Sequence, residues 1–235
     1  MKKFLQTSAV LLVHVSLAAC KSTPPEPKFK SREEIETAAA AGDADAEFEL
    51  GALYHDGQNG VAKDFAKAKE WFEKAAAQNE VRSEFNLGVM YYTGEGVKKD
   101  YALAKEWFDK AVAQNNSRAE FNLGVMYYRG EGVKLDYAEA FRLFTLSAMQ
   151  SFAEAQFNLG VMYAKGEGVT VDIGRAYAWF SAAKDNGNQN AAEAMKNIER
   201  ALSPDQLKIV QKLAVDLSAT LKQKQKEAIA NEKAK

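Results

Sequence analysis

The stretch Phe121-Asn122-Leu123-Gly124-Val125-Met126-Tyr127-Tyr128-Arg129-Gly130-Glu131-Gly132-Val133-Lys134-Leu135-Asp136 decides the fold. Phe-Asn-Leu-Gly-Val-Met-Tyr occurs three times, from Phe85, Phe121 and Phe157. Leu-Gly recurs at Leu50-Gly51, Leu87-Gly88, Leu123-Gly124 and Leu159-Gly160, spaced 37, 36 and 36 residues apart. Asp64, Asp100, Asp136 and Asp172 keep a strict period of 36, as do Ala68, Ala104, Ala140 and Ala176, and Phe72, Phe108, Phe144 and Phe180. A period of that length marks an array of supersecondary units.

Each unit reads as helix, glycine turn, helix. Ala119, Leu123 and Tyr127 lie four apart and make one helix face. Gly130 can adopt the left-handed conformation that ends a helix. Asp136 can cap the second helix, with Glu139 completing a capping-box-like pair. Gly124 sits inside the first helix, where glycine costs about 1 kcal/mol against alanine; close approach of the partner helix, opposite Ala140, is the expected reason. No strand-like alternation appears, so Gly-x-Gly is a helix stop and not a phosphate loop.

These residues carry a resemblance. Ala-x-x-x-Leu-Gly-x-x-Tyr-x-x-Gly-x-Gly-Val-x-x-Asp, followed by Ala-x-x-Trp-Phe-x-x-Ala, resembles the Sel1-like repeat, a relative of the tetratricopeptide repeat. The resemblance covers about 46–183 and implies an all-α fold, a right-handed α-solenoid of helix-turn-helix repeats with a C-terminal capping helix. The array is expected over 31–202, four full repeats with part-repeats on either side. Ser31 with Glu34 can cap the first flanking helix. Met195-Lys196 stands where a fifth Leu-Gly would fall. Ser203-Pro204-Asp205-Gln206 starts a last helix, whose stripe Leu207, Val210, Ala214, Leu217 and Leu221 covers the end of the array. The lysine-rich tail of 203–235 after Leu221 reads as solvated and frayed.

The N-terminus reads as an address. Met1-Lys2-Lys3 precedes an apolar run too short to span a bilayer, the shape of a secretory signal peptide over 1–19. Leu17-Ala18-Ala19-Cys20 resembles a bacterial lipobox, and Cys20 is the chain's one cysteine. The alternative is an ordinary cleavage site with an incidental cysteine. Cleavage before Cys20 removes Lys2 and Lys3 and takes the formal net charge from −1 to −3. Acyl chains on Cys20, palmitate among them, would anchor the protein at roughly 0.8 kcal/mol per buried CH₂. Lys21 after the cysteine resembles an outer-membrane sorting signal, which implies a lipoprotein facing the periplasm. Residues 20–30, with Pro24, Pro25 and Pro27, read as an extended tether.

Composition disfavours several functions. With 31 basic and 32 acidic residues there is no global basic field for nucleic acid. One cysteine and two histidines leave no disulfide framework and little for a metal centre or a histidine base, so no cofactor, metal or small-molecule substrate is expected. Some cysteine-rich Sel1-like proteins have been linked to β-lactam hydrolysis, and Ser181-Ala182-Ala183-Lys184 fits Ser-x-x-Lys. With 11 Ser and 24 Lys, about one chance match is expected. Neither companion motif is present, and the paired cysteines of that branch are missing. The chain is not expected to be an enzyme.

The expected activity is binding of a protein partner. The first helix of each repeat is apolar on a second side, and such a helix is buried or lines a binding surface. By position in tetratricopeptide arrays, a partner groove would hold Phe85, Val89, Tyr92, Phe121, Val125, Tyr128, Arg129, Phe157 and Val161. The alternative is that neighbouring repeats bury much of this face. Asn86, Asn122 and Asn158 recur on a third side as a structural ladder. Trp71, Trp107 and Trp179 are expected in the core, and His55 replaces a groove tyrosine. The resemblance implies a scaffold or adaptor in the cell envelope or, alternatively, an immunity protein neutralising a secreted antibacterial phospholipase effector.

Overall fold

The computed structural model describes residues 28, 29 and 31–233, with side chains as far as Glu227. The signal peptide, Cys20 and most of the tether lie outside these residues. Among them the chain forms eleven helices and no strand: α1 (Arg32–Ala40), α2 (Ala44–Asp56), α3 (Phe65–Ala77), α4 (Val81–Thr93), α5 (Tyr101–Ala113), α6 (Ser117–Arg129), α7 (Tyr137–Met149), α8 (Ala153–Lys165), α9 (Ile173–Asp185), α10 (Ala191–Glu199) and α11 (Pro204–Lys233). They form two compact units, one running to Ala119 and one starting at Glu120.

The repeated residues make the same local structure each time. Gly57, Gly94, Gly130 and Gly166 take φ of 70°, 81°, 70° and 76°, the left-handed ending that glycine adopts without strain. The chain then turns so that the N–H of Asp64, Asp100, Asp136 and Asp172 donates to the carbonyl of Tyr54, Tyr91, Tyr127 and Tyr163. Each Asp carboxylate caps the helix that follows. The capping box expected at Asp136 is only half made. The Glu139 N–H donates to Asp136, but the Glu139 carboxylate turns to Arg142 at 2.7 Å and 2.9 Å.

Gly124 does sit at a tight contact, but its partner is not Ala140. A Cβ there would lie 2.8 Å from the Phe144 ring, and at Gly51, Gly88 and Gly160 it would lie 2.5–2.7 Å from Phe72, Phe108 and Phe180. The repeated glycine and the repeated phenylalanine are one packing pair. The second glycine of Gly-x-Gly has a packing reason too. Gly168, at φ 70°, lies so close to Tyr137 that a Cβ would clash with its carbonyl oxygen.

Trp179 is core, but Trp71 and Trp107 are only half-buried. Lys74 and Lys110 lie over their rings at 3.7 Å and 3.8 Å from the centroids, the cation–π arrangement of a partly exposed aromatic. At the N-terminal end, Ser31 caps α1 through the Glu34 N–H. The last part of the tether is seated on the first repeat. Phe29 packs against a group containing Ile35, Ala39, Ala46 and Leu50, and Lys28 reaches Asp43 at 3.0 Å and Asp45 at 2.7 Å.

At the other end, Ser203 and Gln206 form the complete capping box. Val210, Ala214 and Leu221 are buried with α9 residues such as Tyr177 and Phe180, and Leu207 and Leu217 pack against the same group. The tail does not fray after Leu221, because α11 continues to Lys233. Its Lys, Gln, Glu and Ala are good helix formers, and Gln223 donates to Glu227 one turn on at 2.8 Å.

Candidate interaction surface

Most of the side chains expected to line a groove are packed inside the array. Phe85 and Tyr92 are buried in the first unit. Phe121, Val125, Phe157 and Val161 are buried in the second, in one group with Phe144 and Phe180. The Phe121 ring lies 5.2 Å from that of Phe152 and 5.6 Å from that of Phe144, so its second apolar side serves the next helix pair. Val89, Tyr128 and Arg129 are the members of the set that reach solvent, each half-buried.

Tyr128 is engaged as well. Its hydroxyl donates to Glu167 at 2.6 Å, in the Gly166-Glu167-Gly168 loop of the next repeat. Its ring meets Tyr137 edge-on at 5.2 Å. Burial first, and then the neighbouring Glu167 carboxylate, hold the Tyr128 hydroxyl above the ordinary tyrosine range. Arg129 lies 3.8 Å from Glu131. His55 occupies the Tyr128 seat in the first repeat, as expected, with its ring edge-on to Phe65 at 5.2 Å.

A second polar column was not anticipated. Glu47, Glu84 and Glu120 are buried, and each accepts one hydrogen bond, at 2.8 Å, from Gln78, Gln114 and Gln150 respectively. In the fourth repeat both partners are amides. Asn186 donates to Gln156 at 2.9 Å, and Gln156 donates to the Ala148 carbonyl at 3.1 Å. Burial pushes the Glu120 carboxyl up to about 7, against the opposing pull of Gln150 and Arg142, and it raises Glu84 also. A readable signal existed, since Gln78, Gln114 and Gln150 are also 36 apart. The asparagine ladder is uneven. Asn86 is half-buried, Asn122 and Asn158 are buried, and the Asn158 amide nitrogen has no partner among the described residues.

Ser181 and Lys184 lie on α9, with Ser181 half-buried and Lys184 exposed. Among the described residues, no three or more His, Cys, Asp or Glu side chains group to hold a metal ion. No described helix is long and apolar enough to cross a membrane. Among the described residues the exposed large apolar side chains are Leu135, Leu146, Val171, Ile209, Leu213 and Val215, all in the second unit.

Four helix pairs, three joined through Gly-x-Gly and the first through Gly57-Gln58-Asn59-Gly60, each with an Asp cap and a glycine against a phenylalanine, match the Sel1 repeat model at residues 44–80, 81–116, 117–152 and 153–188. The chain belongs to the Sel1 repeat family. Among solved structures, this Sel1 array is similar to c5321, a protective antigen of uropathogenic Escherichia coli strains that displays an SLR fold. The two share 40% identity at a TM-score of 0.69, over 72% of this chain and 36% of that one, so the array spans little more than a third of that antigen chain. A Sel1 repeat protein from Oxalobacter formigenes shares 33% identity at a TM-score of 0.66, over 76% of this chain and 74% of that one. The immunity protein Pa5087 from Pseudomonas aeruginosa shares 22% identity at a TM-score of 0.48, over 80% and 74%, a likeness that carries no functional argument. No curated protein matches the sequence. Sel1 repeat proteins are generally non-enzymatic scaffolds, and their repeats generally mediate protein–protein interaction.

Proposed function

We propose that this Sel1 array is an envelope lipoprotein, held in the outer membrane by acyl chains on Cys20 and facing the periplasm, that binds one protein partner on its repeat surface. The observation that carries the binding part is the distribution of exposed apolar side chains. Leu135 is 48% exposed, Val171 55%, Ile209 61% and Val215 67%. The repeated apolar residues are consumed in packing, so side chains outside the repeat consensus are the ones free to give affinity and specificity. Tyr128 and Arg129, in the same unit, are the part of the groove set that can join them. Aromatic and arginine side chains are favoured at binding hot spots.

The anchor rests on Leu17-Ala18-Ala19-Cys20. Cys20→Ser abolishes metabolic acyl labelling and moves the protein from the membrane to the soluble fraction. Unchanged fractionation of that variant would refute the anchor. Partner binding is tested with residues 21–235 as bait on envelope extracts, with the partner identified by mass spectrometry and its affinity measured on the purified pair. Capture of a secreted phospholipase, with loss of its activity on binding, would assign the neutralising role. Capture of envelope-assembly proteins would assign the scaffold role.

A further inference from the structure

The first repeat departs from the third at one polar contact. In the third repeat the next-to-last position of the first helix holds Tyr128, whose single O–H has a single acceptor, Glu167 of the next repeat. The first repeat holds His55 there, and its imidazole stands between two carboxylates. Asp56 Oδ1, on the same helix, lies 2.8 Å from Nδ1. Glu95 Oε2, in the Gly94-Glu95-Gly96 loop of the second repeat, lies 3.6 Å from Nε2. The ring is less than a quarter exposed and sits on two uncharged neighbours of α3, Phe65 and Phe72, at 5.2 Å and 6.4 Å. The cation of the α2–α3 connection, Lys63, lies over the far partner of that stack, with Nζ 4.7 Å from the centre of the Phe65 ring.

The donor count is decisive. A neutral imidazole carries one N–H and presents a lone pair at its other nitrogen. Between two carboxylates it can serve one and must turn a lone pair towards the other. The imidazolium has two N–H donors and serves both, closing the 3.6 Å separation as a charge-assisted bond. Histidine is the side chain that exchanges these forms around neutral pH. We propose that His55, Asp56 and Glu95 form a proton-dependent clasp that fastens the first repeat to the second in acid and loosens it in base. The first repeat follows directly on the segment seated by Lys28 and Phe29, so the clasp would govern how firmly the array's first helices are held. The sign follows from the donor count: the two-donor form bridges both carboxylates, and the bridge is lost with the second N–H.

The test is hydrogen exchange on the full chain at pH 5.5 and pH 8.0, corrected for intrinsic rates, with wild type, His55→Tyr and Glu95→Gln compared. Tyrosine is the neighbours' own solution and keeps an uncharged donor to Glu95. In wild type, protection of the α2 amides (Ala44–Asp56) should fall at least about threefold from pH 5.5 to 8.0, the effect of a partly exposed ion pair. In both variants that local fall should be absent, while α8 amides behave identically in all three proteins. NMR of the wild-type His55 ring, assigned by its disappearance in His55→Tyr, should show both ring nitrogens protonated at pH 5.5. Equal α2 protection at both pH values in wild type would overturn the clasp. So would the same fall in His55→Tyr or Glu95→Gln. Because membrane attachment and partner capture are not read in this experiment, its failure leaves the proposed function untouched.

Discussion

The third and fourth repeats build the same hairpin with different electrostatics. The third buries a carboxylate, Glu120, against a single amide donor, Gln150. The fourth places Gln156 at the same register and closes a chain of amides from Asn186 through Gln156 to the Ala148 carbonyl. The third ties its first helix to the next repeat through Tyr128 and Glu167. The fourth has Ala164 in that seat, and its second helix is fastened instead by the Tyr177 hydroxyl donating to Glu199 of α10 at 2.8 Å. Burial, and then Glu199, raise that hydroxyl to about 12. The lesson is that the glycine–phenylalanine contact and the aspartate cap define the repeat. The buried polar pair is a replaceable part, and a charge there is a liability unless it is protonated.

The largest expected effect attacks what the two repeats share. Gly124→Leu drives a branched side chain into the Phe144 ring, 2.8 Å from where even a Cβ would lie. Both helices are fully packed there, so overpacking should cost about 3 kcal/mol or more. Repeat arrays couple nearest neighbours. Hydrogen exchange should therefore show protection lost over α6, α7 and α8, with α11 the least affected. Wild-type protection in the variant would mean that the glycine is not needed for the helix contact.

This contact also shows how far the sequence could be read. The period, the glycine stops, the Asp caps and the last helix's stripe were legible because each rests on a local rule tied to residue type. The identity of Gly124's partner was not, because the small Ala140 was the expected neighbour while the space is filled by the longer Phe144 ring. The Phe121, Val125 and Phe157 faces were ambiguous for a related reason. A second apolar side on a helix can meet a partner or the next repeat, and a single sequence does not distinguish them. Glu120 with Gln150, and its counterparts, went unread although both columns are periodic. A buried carboxylate accepting from an uncharged amide runs against the ordinary pattern of surface glutamates.

The next test converts one repeat's electrostatics into the other's. Glu120 is protonated in both folded and unfolded chains below pH 4.5, its ordinary value, and its folded value is about 7. The folded state holds the proton more tightly, so stability is present in acid and is lost as pH rises from 4.5 through 7. By pH 8 the loss from this group is roughly 3 kcal/mol. Glu120→Gln replaces the carboxylate with an amide that Gln150 still reaches. Thermal or urea unfolding at pH 8 should show the variant more stable by about 2 kcal/mol, with the difference vanishing near pH 4.5. A variant less stable than wild type at pH 8 would show that the carboxylate has compensating partners and that the charge is not the liability in the comparison.

The smallest effect concerns the tie that the fourth repeat lacks. Tyr128→Phe removes only a hydroxyl. The ring keeps its edge-on contact with Tyr137 at 5.2 Å and its tilted contact with Phe144 at 6.3 Å, so no cavity opens. The bond lost is to a carboxylate, which favours the upper range for a hydrogen bond. Both groups are half-buried, however, and water can replace the donor, which brings the expected loss to about 1 kcal/mol. Glu167 keeps Lys165 at 3.8 Å. The reduction in protection should be confined to amides of the Gly166–Gly168 loop and the end of α6. The same variant sharpens the functional question, because Tyr128 is one of three groove residues that reach solvent. A loss of about 1 kcal/mol in stability with unchanged partner affinity places the hydroxyl in repeat-to-repeat packing. Unchanged stability with partner binding weakened about tenfold, equivalent to 1.4 kcal/mol, would show that the hydroxyl leaves Glu167 to meet the partner and that the exposed end of α6 is part of the binding surface.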